Sequence, residues 1–138
     1  MSIAPLPDFL IIDDDPVNNM ICARMIRSTI SGASLKAFID PQKGLDYIQS
    51  AYSNGNCNNA VLFLDINMRT LTGWEVLDIV NDFPAVVKDQ VKIYMLSFSV
   101  DPQDQDRAKN YPLLTGYLPK PLSPTVLQTL FPDFIKTK

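Results

Sequence analysis

The sequence predicts an α/β fold, a doubly wound parallel sheet with helices on both faces, and three observations support it. Apolar runs of strand length alternate with helical segments five times along the chain. Four of the five helical segments open with an Asp or Ser followed by Pro: Asp15-Pro16, Asp40-Pro41, Asp101-Pro102 and Ser123-Pro124. That pair starts a helix because the side chain accepts from free amides, while proline needs no partner there and has its φ preset. Finally, four apolar runs end in residues capable of chemistry: Asp13-Asp14-Asp15, Asp65, Ser97 and Lys120. Parallel strands would bring those ends to one edge, where open α/β sheets bind ligands.

Taken in order, a leader containing Pro5 and Pro7 precedes a first strand at Phe9 to Ile12. The first helix runs from Asp15-Pro16 to about Ile30, with Val17, Ile21 and Met25 spaced to share one face, and Gly32 closes it. Ser34 to Ile39 is a second strand, and a helix follows from Asp40-Pro41 to about Tyr52. The polar run from Ser53 to Asn59 is turn chemistry rather than a linker between domains. Val61 to Leu64 is uninterrupted apolar sequence, the mark of a central strand buried on both faces, and it ends abruptly at Asp65. A loop through Gly73 leads to a helix from about Trp74 to Asp82, stopped by Pro84. Val91 to Leu96 is the fourth strand, and a polar fourth helix runs to about Asn110. The fifth strand carries Tyr117 to Pro119, and the fifth helix ends near Phe134. Right-handed crossovers and this alternation predict the flavodoxin-like strand order 2-1-3-4-5. That order places Pro119 on an edge strand, where a missing N–H breaks no ladder. Met20, Met25 and Met68 read as packing residues, and Trp74 as partial core.

The chain's 138 residues suit one domain, residues 1–138 with a core over about 8–135 and no separate output domain. A net charge of −3 and a pI near 4.7 argue against a nucleic-acid surface. Neither a signal peptide nor an apolar run of membrane length is present in the sequence, so no membrane partner is expected and the expected location is cytoplasmic. Cys22 and Cys57 lack metal-ligand spacing and are expected to be reduced thiols. The absence of histidine removes triad chemistry and any phosphohistidine carried in this chain.

Asp13, Asp14 and Asp65 would gather several negative charges at the sheet edge, which is costly without a cation. Mg²⁺ suits such a sparse oxygen site, because it keeps waters and binds through one or two carboxylates plus phosphate oxygens. Ser97 and Lys120 would then face the same spot with a hydroxyl and a positive charge. Carboxylate attack on a phosphoryl group yields an aspartyl phosphate, so Asp65 is the expected nucleophile, with the metal and Lys120 offsetting charge. Asp15 is most simply a helix cap.

These residues, in this order and spacing, resemble the receiver domain of a two-component response regulator, in its single-domain, chemotaxis-receiver-like form. The matching pieces are Ile11-Ile12-Asp13-Asp14-Asp15-Pro16, Leu64-Asp65-Ile66-Asn67-Met68 with Gly73 eight residues past the Asp, Met95-Leu96-Ser97, and Gly116-Tyr117-Leu118-Pro119-Lys120-Pro121. The resemblance implies a phosphoprotein of a phosphorelay rather than an enzyme, whose Asp65 accepts a phosphoryl group from a sensor histidine kinase or a histidine phosphotransfer protein. It also implies Mg²⁺ ligation by Asp65, by Asp14 directly, by Asp13 through water and by the Asn67 carbonyl. Ser97 and Lys120 would contact the phosphoryl oxygens. Tyr117 would change rotamer with Ser97, altering the face of the fourth helix, fifth strand and fifth helix for a downstream protein. The Lys120-Pro121 bond is often cis in such domains. A monomer or weak homodimer is expected.

Two positions depart from the family pattern. Arg69 stands where proline commonly follows the Met, and Phe98 where a small residue normally follows the hydroxyl; both would tune the site. Phe98 is the sole support for an alternative, an interaction module with this fold but no phosphorylation. A second alternative, a metal-dependent hydrolase with an aspartyl-phosphate intermediate, needs an acid two residues past the nucleophile, where this chain has Asn67.

Overall fold

Five parallel strands form one sheet in the order β2-β1-β3-β4-β5, matching the order expected from the sequence. The computed structural model describes residues 6–53, 59–98 and 101–135. Cys57 and most of the polar run before the third strand lie outside those residues. The strands are β1 (Asp8–Ile12), β2 (Ser34–Phe38), β3 (Ala60–Asp65), β4 (Val91–Ser97) and β5 (Leu114–Pro119). The helices are α1 (Pro16–Thr29), α2 (Pro41–Ala51), α3 (Gly73–Asn81), α4 (Ala85–Lys88), α5 (Pro102–Ala108) and α6 (Pro124–Leu130), followed by a 3₁₀ turn at Pro132–Phe134. Among the described residues, no helix is long and apolar enough to cross a membrane.

The helix starts follow the cap chemistry. Asp15, Asp40 and Asp101 accept from the N–H groups of Val17, Gln42 and Gln103, and Ser123 accepts from Val126. The helix without a proline start uses a capping box instead, in which Thr72 Oγ1 accepts from the Glu75 N–H and the Glu75 carboxylate accepts from the Thr72 N–H. Gly32 makes the turn after α1 with a φ of 75°, a conformation that favours glycine.

Alternate residues of the central strands feed two cores. Leu10, Ile12, Leu62, Leu64, Ile93 and Met95 face the side covered by α2 and α3. Phe9, Ile11, Val61, Phe63, Tyr94 and Leu96 face the side covered by α1 and α6. All six residues of β3 are buried, as a strand covered on both faces requires. Each fully buried Leu or Phe contributes roughly 1.5–3 kcal/mol relative to exposure, so the central strand is the most firmly anchored element. Pro119 lies on the edge strand β5, opposite Ser97.

Several expectations need correction. Val17, Ile21 and Met25 do share a stripe, but Val17 and Ile21 are exposed; α1 buries Asn19, Cys22, Ala23, Ile26 and Thr29. Met20 is 59% exposed and does not pack in the core. Trp74 is fully core rather than partly so. The single turn α4 was not legible because Pro84 reads as a stop, yet the Pro84 carbonyl also accepts from Val87 and Lys88 and opens the next turn.

Candidate functional site

The register explains the convergence of the polar groups. Ile12 of β1 and Met95 of β4 both pair with Leu64, so Asp13 and Asp65 leave neighbouring strands at nearly the same height. Asp65 pairs with Leu96, placing Ser97 one residue further along β4, and Ser97 in turn pairs with Pro119, just before Lys120. The Lys120 N–H donates to the Ser97 carbonyl at 2.8 Å, continuing the ladder one step past the strand. The Lys120-Pro121 peptide is cis.

The Lys120 ammonium donates to Asp13 Oδ2 at 2.7 Å and to Asp65 Oδ1 at 2.8 Å, with all three side chains almost wholly buried. Burial pushes the Asp65 carboxyl above its ordinary range, opposed by the hydrogen bond from Lys120 and reinforced by the charge of Asp13. Burial alone would lower the Lys120 pKa, but its hydrogen bonds to Asp13 and Asp65 outweigh that and raise it. The lysine is therefore held protonated between two carboxylates.

Backbone contacts orient the acids. Asp13 Oδ1 accepts from the Asp15 N–H at 2.9 Å, and the Asp13 carbonyl accepts from Asn19 Nδ2 at 2.8 Å. Asp14 Oδ2 accepts from the Arg69 N–H at 2.9 Å, tying the β1 edge to the loop after β3. Asn19 was missed by sequence reasoning; its signal is a polar residue on the buried stripe of a helix that begins beside the acids. Gly73 was named only as a spacing, and the structure gives its reason: a Cβ there would stand 2.7 Å from the Asp65 carbonyl oxygen.

Carboxylate oxygens of Asp13, Asp14 and Asp65 lie within 4.8 Å of one another. Three hard oxygen donors at this spacing, with a lysine balancing only part of their charge, fit a divalent ion of the Mg²⁺ class. A cleft of about 800 Å³ opens over them, and Asn67, Arg69, Thr70, Ser97 and Phe98 are among its walls. Asn67 and Arg69 are exposed, and Ser97 is buried at the end of β4. The Phe98 ring is 67% exposed, with its centroid 5.0 Å from Lys120 Nζ. Tyr117 is half-buried on β5, and its hydroxyl, shielded from solvent, has no hydrogen-bond partner among the described residues.

No curated protein matches the chain. Solved structures do. A response regulator receiver protein from Dyadobacter fermentans is 25% identical, with 92% of this chain and 96% of that one covered and a TM-score of 0.82. A two-component response regulator from Cytophaga hutchinsonii is 26% identical, covering 94% and 96%, also with a TM-score of 0.82. The chemotaxis protein CheY4 of Vibrio cholerae shares the fold at 22% identity, 94% and 99% coverage and a TM-score of 0.74. Residues 9–131 match the family described as the response regulator receiver domain. With that match spanning both cores and every strand end that carries an acid, hydroxyl or lysine, the chain belongs to the response regulator receiver domain family.

Proposed function

We propose that Asp65 is the phosphoacceptor of a two-component phosphorelay, loaded from a phosphohistidine on a separate kinase or histidine phosphotransfer protein. The supporting observation is a buried carboxylate at the end of the central strand, sharing one lysine with Asp13 at the floor of an open acidic cleft. In the transfer, an Asp65 carboxylate oxygen bonds to phosphorus, the phosphorus–nitrogen bond breaks, and the donor imidazole leaves with the electron pair and takes up a proton. Asp13, Asp14, Asp65 and the Asn67 carbonyl would hold Mg²⁺, which when bound supplies charge neutralisation at the phosphoryl oxygens. Lys120 is already poised on Asp65 and would follow the new negative charge. Ser97, adjacent in register, would donate its hydroxyl to the phosphoryl group.

The signal would leave through protein contact. Tyr117 lies on β5, within the face formed by α5, β5 and α6, and its hydroxyl, without a partner among the described residues, makes the inward position costly to keep. That is the condition for a rotamer to be biased by a change at Ser97. Arg69 and Phe98, at the cleft wall, would tune access and phosphate lifetime. Asn67 stands where a hydrolase of this chemistry would need an acid, which supports a signalling module rather than a turnover enzyme, and a cytoplasmic location belongs to this reading.

The linkage provides the test. Labelled phosphate taken from a small acyl phosphate should be released by hydroxylamine, which attacks acyl phosphates and spares phosphoserine. A label that resists hydroxylamine would place the modification on a hydroxyl and overturn this reading.

A further inference from the structure

A second hollow lies beside the acidic cleft, between α1 and the connection from β5 to α6. It encloses about 170 Å³, and its walls are apolar: Ile11, Ile21, Cys22, Phe63, Leu96 and Leu122. Its polar margin consists of Asn18 and of Asp13, Asp65 and Lys120, of which Lys120 is paired with Asp13 at 2.7 Å and with Asp65 at 2.8 Å. The Cys22 thiol adds no charge, since burial, helped by the charge of Asp13, pushes its pKa up to about 12. Phe98 also borders the hollow, and it and Ile21 are 67% and 40% exposed, so the rim is apolar and open to solvent.

Size and chemistry together specify an occupant. A cavity of about 150 Å³ lined by leucine, isoleucine and phenylalanine accepts a benzene ring, and this hollow has a similar volume with the same residue types along most of its wall. The rings of Phe63 and Phe98 favour an aromatic occupant over an aliphatic one of equal size. Charge narrows the choice further. Three carboxylates against one lysine repel an anionic ligand, and a cationic head would compete with a divalent ion for the same carboxylates.

We propose that this hollow is a binding site for a small neutral molecule with a single aromatic ring, on the flank of the phosphoacceptor. The occupant would insert between α1 and the β5–α6 connection and cover one flank of Asp65 and Lys120.

Titration of the full chain with benzyl alcohol, followed through methyl resonances, tests this directly. Saturable shifts concentrated at Ile11, Ile21, Leu96 and Leu122 are expected. Cys22→Leu, which fills the hollow, and Ile21→Trp, which covers its mouth from an exposed position, should each weaken binding by roughly tenfold or more, the equivalent of losing the ring's burial. Ile21→Trp keeps the test intact if the core substitution fails to fold. Shifts that rise without saturating, that scatter over the surface, or that persist with equal affinity in the folded variants would overturn the proposal. Because the probe carries no phosphate, these outcomes are separate from whether Asp65 accepts a phosphoryl group.

Discussion

Lys120 is the residue on which the site's electrostatics turn. One buried ammonium serves two buried carboxylates, so the acids are only part-neutralised, and the remaining negative charge is what a divalent cation would offset. The sequence made this grouping legible, since each member ends an apolar run, but not the pairing. Asp13 and Asp14 are adjacent and chemically identical; only the folded chain shows Asp13 turned in to Lys120 and Asp14 held by the Arg69 amide. Phe98 was legible as an anomaly and not as a geometry. Its ring stands exposed beside the lysine, where it narrows one wall of the cleft while leaving the cleft open. Phe98→Ala should therefore speed phosphate loading or loss by about twofold or more, a barrier change of roughly 0.5 kcal/mol. Stopped-flow loading and decay measurements check this; both rates unchanged would remove Phe98 from the account.

Among the elements, the strands and helix starts were the most readable, because Asp-Pro and Ser-Pro report a local requirement that tertiary context does not alter. The face of α1 was the least readable. Its apolar residues occur on two stripes, and the periodicity cannot say which one meets the sheet; the sheet takes Cys22, Ala23 and Ile26 and leaves Val17, Met20 and Ile21 outside. Those three are spaced to share an exposed face. Helix α5 lies at the opposite extreme, with no buried residue at all. Its side-chain anchors are Ala108, packed against the core, and Arg107, stacked 4.9 Å from the Trp74 ring, which itself packs against Tyr111. Arg107→Ala should raise amide exchange across residues 102–108 about two- to fivefold, the equivalent of roughly 0.5–1 kcal/mol for an exposed cation–π contact, while β3 stays protected. Exchange unchanged in α5 would show that the stack does not hold it.

At the scale of the molecule, the fold separates what must be rigid from what can respond. The two cores meet across β1, β3 and β4, whose ends carry Asp13, Asp65 and Ser97, so the acids and the hydroxyl rest on the best-packed strands. Tyr117 lies on the edge strand β5 and Lys120 just past its end, next to the weakly buried α5, where a change of charge at Asp65 would shift side chains without breaking the core. The central claim is that Asp65 accepts a phosphoryl group with the help of a bound divalent ion. Intact mass after incubation with a small acyl phosphate and Mg²⁺, set beside Asp65→Asn and a metal-free sample, tests it most directly. The account expects one added phosphoryl group in the wild-type chain with metal and none in either control. Addition that survives in Asp65→Asn, or no addition to folded protein with Mg²⁺ present, would contradict it.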